Sequence, residues 1–169
     1  SRIGILKILK KMNAKIKLLN VKNYKGEVIG DIKIKSTKKL KSIKKISTKE
    51  FPGYPTDLQA QLIATQLKSG LKSKVVENIF ENRFIHIPEL RRFGANLSIK
   101  GKTVTIDKTS NLLGAEVMAT DIRASFSLII AAMISKGKTV INRIYHLDRG
   151  YEDFDLKLKK CGVNISRKK

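Results

Sequence analysis

Four charged residues stand at matching places in two related stretches of this chain, and a fifth, Arg123, is added in one of them. Asp57 and Asp121 open the phrases Thr56-Asp57-Leu58-Gln59 and Thr120-Asp121-Ile122-Arg123, and Arg83 and Arg149 lie in the loops that follow a second pair of matching phrases. Arginine presents a planar fork that grips phosphate or carboxylate through two parallel hydrogen bonds. Arg123, near the start of a strongly apolar segment, is costly there unless it meets an anion or a carboxylate. One reading gathers these carboxylates and arginines into an anion-binding site at one end of the domain. The other lets them pair only with each other, as ion pairs that stabilise loops.

The elements that must hold them can be read locally. In FPGYPTDLQAQ, Phe51 to Gln61, Thr56 is a good N-cap and Gln59 stands where a capping box requires it, which predicts a helix starting at Asp57. Pro52, Gly53 and Pro55 give the preceding loop a bent, extended path that continues into neither a helix nor a central strand. The Asp57 carboxylate therefore sits on a stiff support, where it could equally do no more than complement the helix dipole. The segment Asp121 to Ser135 is apolar nearly all round and predicts an enclosed helix, whereas Asp57 to Ser69 carries a narrower stripe through Leu58, Leu62, Ile63 and Leu67.

These segments belong to a repeat. LKKMNAKIKL from Leu9, LRRFGANLSI from Leu90 and LKLKKCGVNI from Leu156 each read as the end of an amphipathic helix, a left-handed cap and an alternating strand. Asn13, Gly94 and Gly162 are the equivalent caps. Upstream, Val76-Glu77-Asn78-Ile79-Phe80 matches Ile141-Asn142-Arg143-Ile144-Tyr145, in strands expected near Lys74 to Phe80 and Thr139 to Tyr145. Gly101 and Lys102 mark the clearest hairpin turn. The pattern predicts repeated α/β units with helices inside and sheets outside, in one partial domain over 1–169: an incomplete first unit, 1–48, a second, 49–112, and a third, 113–169. An incomplete unit leaves an edge or apolar face uncovered, so self-association of the isolated chain is expected.

Composition narrows the function classes. With 169 residues and 41% hydrophobic content, the chain can build one real core. Its longest apolar run, Leu128 to Ile134, falls far short of a membrane span, and Ile3 to Leu9, broken by Lys7, does not read as a signal peptide. One cysteine and two histidines leave no disulfide framework and no zinc cluster, which points to a reducing cytoplasm. The net charge of +22 invites a nucleic-acid reading. Against it, the excess is mostly lysine spread along an isoleucine-rich chain, as an AT-rich coding bias would produce. Aromatics, at 6%, never interleave with the basic runs, and only Lys33 to Lys45 is densely basic.

The phrases YPTDLQAQ, IFENRFIHIPELRRFGA, LLGAEVMATDIRAS and INRIYHLDRGYEDFDLKLKKCGVNI closely resemble the UDP-N-acetylglucosamine 1-carboxyvinyltransferases, over more than two thirds of the chain. The resemblance implies an inside-out α/β barrel of repeated units, here incomplete. It also implies transfer of the enolpyruvyl group of phosphoenolpyruvate to the 3-hydroxyl of UDP-N-acetylglucosamine, through a tetrahedral ketal and with release of phosphate, without a cofactor or a metal. Asp57 matches the aspartate that contacts the 3-hydroxyl and is the favoured general base. Arg149 matches a phosphoenolpyruvate-binding arginine, Arg123 another active-site arginine, and Asp121 an active-site acidic residue. Pro55, Thr56, Ile79 and Phe80 match stretches at the nucleotide-sugar site, with Arg83 a weaker match.

Two departures accompany the resemblance. The family's second domain, which supplies a cysteine loop together with a lysine and an asparagine, has no counterpart in this sequence, so activity would call on a separate chain carrying it. Cys161 is not a stand-in: it occupies the position of Phe93 in the neighbouring repeat and reads as a buried structural thiol. Up to about residue 46, SRIGILKILKKMNAKIKLLN and GEVIGDIKIKSTKKLKSI look more like 5-enolpyruvylshikimate-3-phosphate synthase of the same superfamily.

Overall fold

The computed structural model describes residues 3–35 and 39–168; part of the densely basic stretch Lys33 to Lys45 lies outside them. Helix α1 (Ile3–Lys11) leads into an antiparallel ribbon of β1 (Lys15–Tyr24) and β2 (Glu27–Lys35). Two crossover units follow. In the first, β3 (Lys45–Ser47), α2 (Gln59–Leu67) and β4 (Ser73–Val76) place β3 and β4 parallel; in the second, β7 (Glu116–Met118), α4 (Ile122–Ile134) and β8 (Val140–Asn142) place β7 and β8 parallel. Between them, α3 (Ile87–Arg92) precedes the hairpin of β5 (Leu97–Lys100) and β6 (Thr103–Ile106), which completes a four-stranded sheet in the order β3-β4-β6-β5. Short helices α5 (Tyr145–Asp148) and α6 (Phe154–Lys160) close the described chain. No helix among the described residues is long and apolar enough to cross a membrane.

The repeat is thus real in three dimensions. Asn13, Gly94 and Gly162 all take left-handed backbone, at φ of 71°, 83° and 87°, and each ends a helix of its unit. Gly101 and Lys102 make the turn between β5 and β6, where Lys100 pairs with Thr103. The third copy forms no strand after Gly162, because strand pairing needs a partner and the described residues supply none there. The opening strands lie on either side of the expected unit boundaries: β3 ends just before residue 49, whereas β7 starts just after 113.

The main core lies between α2 and α4, under the four-stranded sheet and α3. Ile63, Val75, Leu90, Phe93, Val104 and Leu128 are all at most 1% exposed in it, and burying one such side chain contributes roughly 1.5–3 kcal/mol. The expected burial of the two long helices is reversed. α2 is enclosed almost completely, including Gln59, Gln61 and Gln66, while α4 buries one side and leaves Met133 exposed. Gln66 explains how a polar residue can face inward. Its side chain accepts from the Ile43 amide at 3.3 Å and donates to the Ile43 carbonyl at 3.2 Å, pairing an extended segment as a backbone would.

Cys161 corrects the sequence expectation, since it is exposed. The equivalent Met12 and Phe93 are fully buried. Phe93 is covered because its unit goes on into the β5–β6 hairpin and returns at Leu113, whose amide donates to the Phe93 carbonyl at 3.0 Å. Nothing among the described residues closes over Cys161 in the same way.

Candidate active site

The chain enters α2 through a tight 3-10 turn, Thr56–Leu58, with extended Pro55 as its N-cap. Ahead of it, the Phe51–Pro52 bond is cis. Tyr54 is buried, and its phenol donates to the Leu58 carbonyl at 2.9 Å, locking the loop across the turn. The expected capping box does not form. The Thr56 hydroxyl instead donates to Glu77 Oε2 at 2.8 Å and accepts from Arg83 Nη1 at 2.7 Å. Local signals favoured the cap, but two long-range partners take the hydroxyl.

Asp57 stands at the centre of the turn. Its Oδ1 lies 2.7 Å from Arg123 Nε and 3.2 Å from Arg83 Nη2. The carboxylate side chain is 62% exposed and Arg123 48%, so these pairs are worth little to stability. The half-exposed Arg123 guanidinium at this mouth has the planar fork that an incoming phosphate or carboxylate can meet. Arg83, the weaker match by sequence, is the most firmly held of the arginines. It is only 18% exposed, and its guanidinium lies over the Phe80 ring at 4.5 Å.

Asp121 is turned to another task. It is the N-cap of α4, and its Oδ1 accepts from the amides of Arg123 at 2.7 Å and Ala124 at 2.8 Å, while the Ser125 hydroxyl donates to its carbonyl. The cap aims the first turn of α4 and with it Arg123. His86, fully buried behind this region, feels the Asp121 charge. Burial pushes its imidazole down to about 4, and Asp121 offsets only part of that.

Arg149 is not brought to Asp57. It ends α5, exposed, with no hydrogen bond or ion pair to its guanidinium among the described residues, and lines a separate cavity of about 640 Å³ with Tyr151, Glu152 and Asp155. Arg167, in the same wall, holds Asp148 at 2.6 Å and Asp155 at 3.1 Å. The two regions adjoin through Gly150, where a Cβ would come within 2.8 Å of the Ile122 side chain, next to Arg123. No side chain longer than hydrogen lets the Arg149 loop lie that close to the start of α4.

The residue that sequence reasoning missed is Glu77. It is 1% exposed at the end of β4. Its Oε1 accepts from the Thr48 hydroxyl at 2.8 Å and from the amides of Ile79 at 2.9 Å and Phe80 at 3.2 Å. These bonds fix the backbone of the Ile79 and Phe80 stretch, with Ile79 half-buried and Phe80 exposed.

A carboxylate set between arginines at the mouth of paired crossover units is the feature that this α/β fold brings together. The family EPSP synthase (3-phosphoshikimate 1-carboxyvinyltransferase) matches residues 1–158, and the chain belongs to that family of enolpyruvyl transferases. Among individual proteins, it is 51% identical over 162 residues to the UDP-N-acetylglucosamine 1-carboxyvinyltransferase of Pelagibacter ubique (strain HTCC1062), covering 96% of this chain and 36% of the relative. It is 57% identical over 122 residues to the enzyme of that name from Rhodopseudomonas palustris (strain TIE-1), covering 72% of this chain and 28% of the relative. The chain thus spans about a third of the length of these relatives. The Pelagibacter match is too long to be confined to the part after residue 46, so the opening segment aligns with a relative of that name as well.

Solved structures agree on the fold. The enolpyruvyl transferase NikO from Streptomyces tendae superposes with a TM-score of 0.79 at 24% identity, over 97% of this chain and 36% of its own. EPSP synthase from Acinetobacter baumannii gives 0.78 at 19% identity, over 98% and 40%.

Proposed function

We propose that this chain carries the base-bearing part of an enolpyruvyl transferase that moves the enolpyruvyl group of phosphoenolpyruvate to the 3-hydroxyl of UDP-N-acetylglucosamine, the first committed step of peptidoglycan synthesis. The observation that carries the reading is Asp57, held on a stiff turn between Arg83 and Arg123. Its carboxylate can take the proton of the sugar hydroxyl as that oxygen adds to C2 of phosphoenolpyruvate and a proton reaches C3. Loss of the C3 proton with departure of phosphate restores the double bond. Arg123 and Arg149 hold phosphate and carboxylate oxygens while charge develops. Asp121 acts by capping α4 and aiming Arg123. Pro55, Thr56, Ile79 and Phe80 border the nucleotide sugar.

The cysteine loop, lysine and asparagine of the second domain would come from chain beyond this sequence or from a separate polypeptide. A single thiol without a disulfide fits a reducing cytoplasm as the setting. A second reading, nucleotide-sugar binding without turnover, is favoured by Arg149 standing apart from Asp57, in a separate cavity. The test is titration of the chain with UDP-N-acetylglucosamine. Binding that Asp57→Asn weakens supports both readings, and phosphate release in the presence of the complementary domain separates them. No binding by the folded chain would count against both.

A further inference from the structure

A buried carboxylate with no cation against it needs a reason. Glu77 is 1% exposed, and among the described residues its carboxylate is met by hydroxyl and amide donors and by no ion pair. Those donors lead to one place. Through Oε2 it receives the single proton of the Thr56 hydroxyl, which leaves the lone pairs of that oxygen to face Arg83 Nη1 at 2.7 Å. Through Oε1 it pins the Ile79 and Phe80 amides, and so places the Phe80 ring on which Arg83 lies at 4.5 Å. Both arms converge on Arg83, which in turn holds Asp57.

The next repeat serves as an internal control. There the position of Glu77 is taken by Asn142, whose amide turns away to Glu116 Oε1 at 2.9 Å. The arginine at the place of Arg83, Arg149, is exposed, and its guanidinium makes no hydrogen bond or ion pair among the described residues. The ring at the place of Phe80, Tyr145, is met instead by Arg143, whose Nη2 donates to the Tyr145 hydroxyl at 2.8 Å. The fold therefore tolerates an amide at this point of the repeat, and where the acid is present the arginine of the following loop is the one that is seated. We infer that Glu77 is a positioning residue: it orients Arg83, through Thr56 and through Phe80, and thereby the Asp57 carboxylate. What is being positioned rests on the proposed function; the positioning itself does not.

Glu77→Gln is the discriminating variant. Its carbonyl can still accept from Thr48, Ile79 and Phe80, whereas its amide nitrogen cannot accept the Thr56 proton. The experiment follows the Arg83 guanidinium by NMR and titrates UDP-N-acetylglucosamine, in wild type, Glu77→Gln, Arg83→Ala and the double variant. Glu77→Gln is expected to free the rotation of the Arg83 guanidinium while the thermal midpoint stays within about 3 °C. It should weaken nucleotide-sugar binding about tenfold, with no further loss in the Arg83→Ala background. A locked Arg83 in Glu77→Gln, or an equal loss with and without Arg83, would overturn the inference. If Glu77→Gln does not fold, Thr56→Val cuts the same relay, and because Thr56 itself borders the proposed sugar site the Arg83 guanidinium signal alone is read: a freed guanidinium supports the inference and a locked one overturns it. A wild-type chain that binds no nucleotide sugar would sink the proposed function, and the Arg83 signal would then decide the positioning claim by itself.

Discussion

Arg123 Nε lies 2.7 Å from Asp57 Oδ1, so the starts of α2 and α4, equivalent helices of successive repeats, are tied together by opposite charges. Because both side chains are about half exposed or more, the pair contributes roughly 0–1 kcal/mol. Arg123→Ala is therefore expected to change the unfolding free energy by no more than about 0.5 kcal/mol while weakening nucleotide-sugar or phosphoenolpyruvate binding at least about tenfold. Chemical denaturation together with ligand titration checks this. A large stability loss with unchanged binding would return the pair to a structural role.

Arg83 should behave differently from Arg123. It is mostly buried, spans Thr56 and Asp57, and covers Phe80. Arg83→Ala is expected to cost about 1–2 kcal/mol of stability as well as affinity. Urea unfolding of the two arginine variants side by side tests the contrast.

Stability should fall in mild acid because of His86. The unfolded imidazole takes up a proton near 6.5, whereas burial holds the folded group down to about 4. The contribution is whole above about pH 6.5, is lost progressively as pH falls toward 4, and does not change further below that. Over the window the loss amounts to up to about 3 kcal/mol. Unfolding free energies at several pH values, in wild type and in His86→Gln, isolate the term, since carboxylate contributions are common to both. An identical pH dependence in the two proteins would contradict it.

Phe93 and Cys161 hold the same place in successive repeats but differ in burial. Phe93→Ala should cost about 3–5 kcal/mol and Cys161→Ala less than about 0.5 kcal/mol. A thiol reagent should label Cys161 in the native protein at a rate close to that of the unfolded chain. Slow labelling would show that the thiol is covered after all.

The β1–β2 ribbon leaves Leu18, Ile32 and Ile34 exposed on one face, with Leu18 paired to Ile32 and Ile34 to Ile16. A two-stranded ribbon with such a face is prone to associate. Ile32→Lys with Ile34→Lys is expected to lower the apparent mass of the isolated chain in sedimentation. A wild-type monomer at high concentration would rule this out.

What could be read beforehand was set by local chemistry and repetition. Aligned repeats put Asp57 and Asp121, and Arg83 and Arg149, at equivalent places, with Arg123 added beside them, and the left-handed caps followed from Asn13, Gly94 and Gly162. The failures have one cause, partners distant in the chain. Thr56 looked like a cap until Glu77 and Arg83 claimed its hydroxyl. Glu77 was passed over within its phrase, because nothing nearby in sequence announces Thr48 and Thr56 as its donors. The narrower apolar stripe of α2 did not announce that its glutamines are buried too, where Gln66 finds a backbone segment to pair with. Arg149 matched Arg83 in phrase but not in surroundings, which only the folded chain reveals.

The most direct test of the account is phosphate release from phosphoenolpyruvate in the presence of UDP-N-acetylglucosamine, by this chain mixed with the complementary portion of a homologous enzyme. Release that needs both polypeptides and drops by at least about a hundredfold with Asp57→Asn is the predicted result. Release unaffected by Asp57→Asn, or none from a mixture shown to be folded and assembled, would contradict the assignment of Asp57 as the base and of this chain as a working part of the transferase.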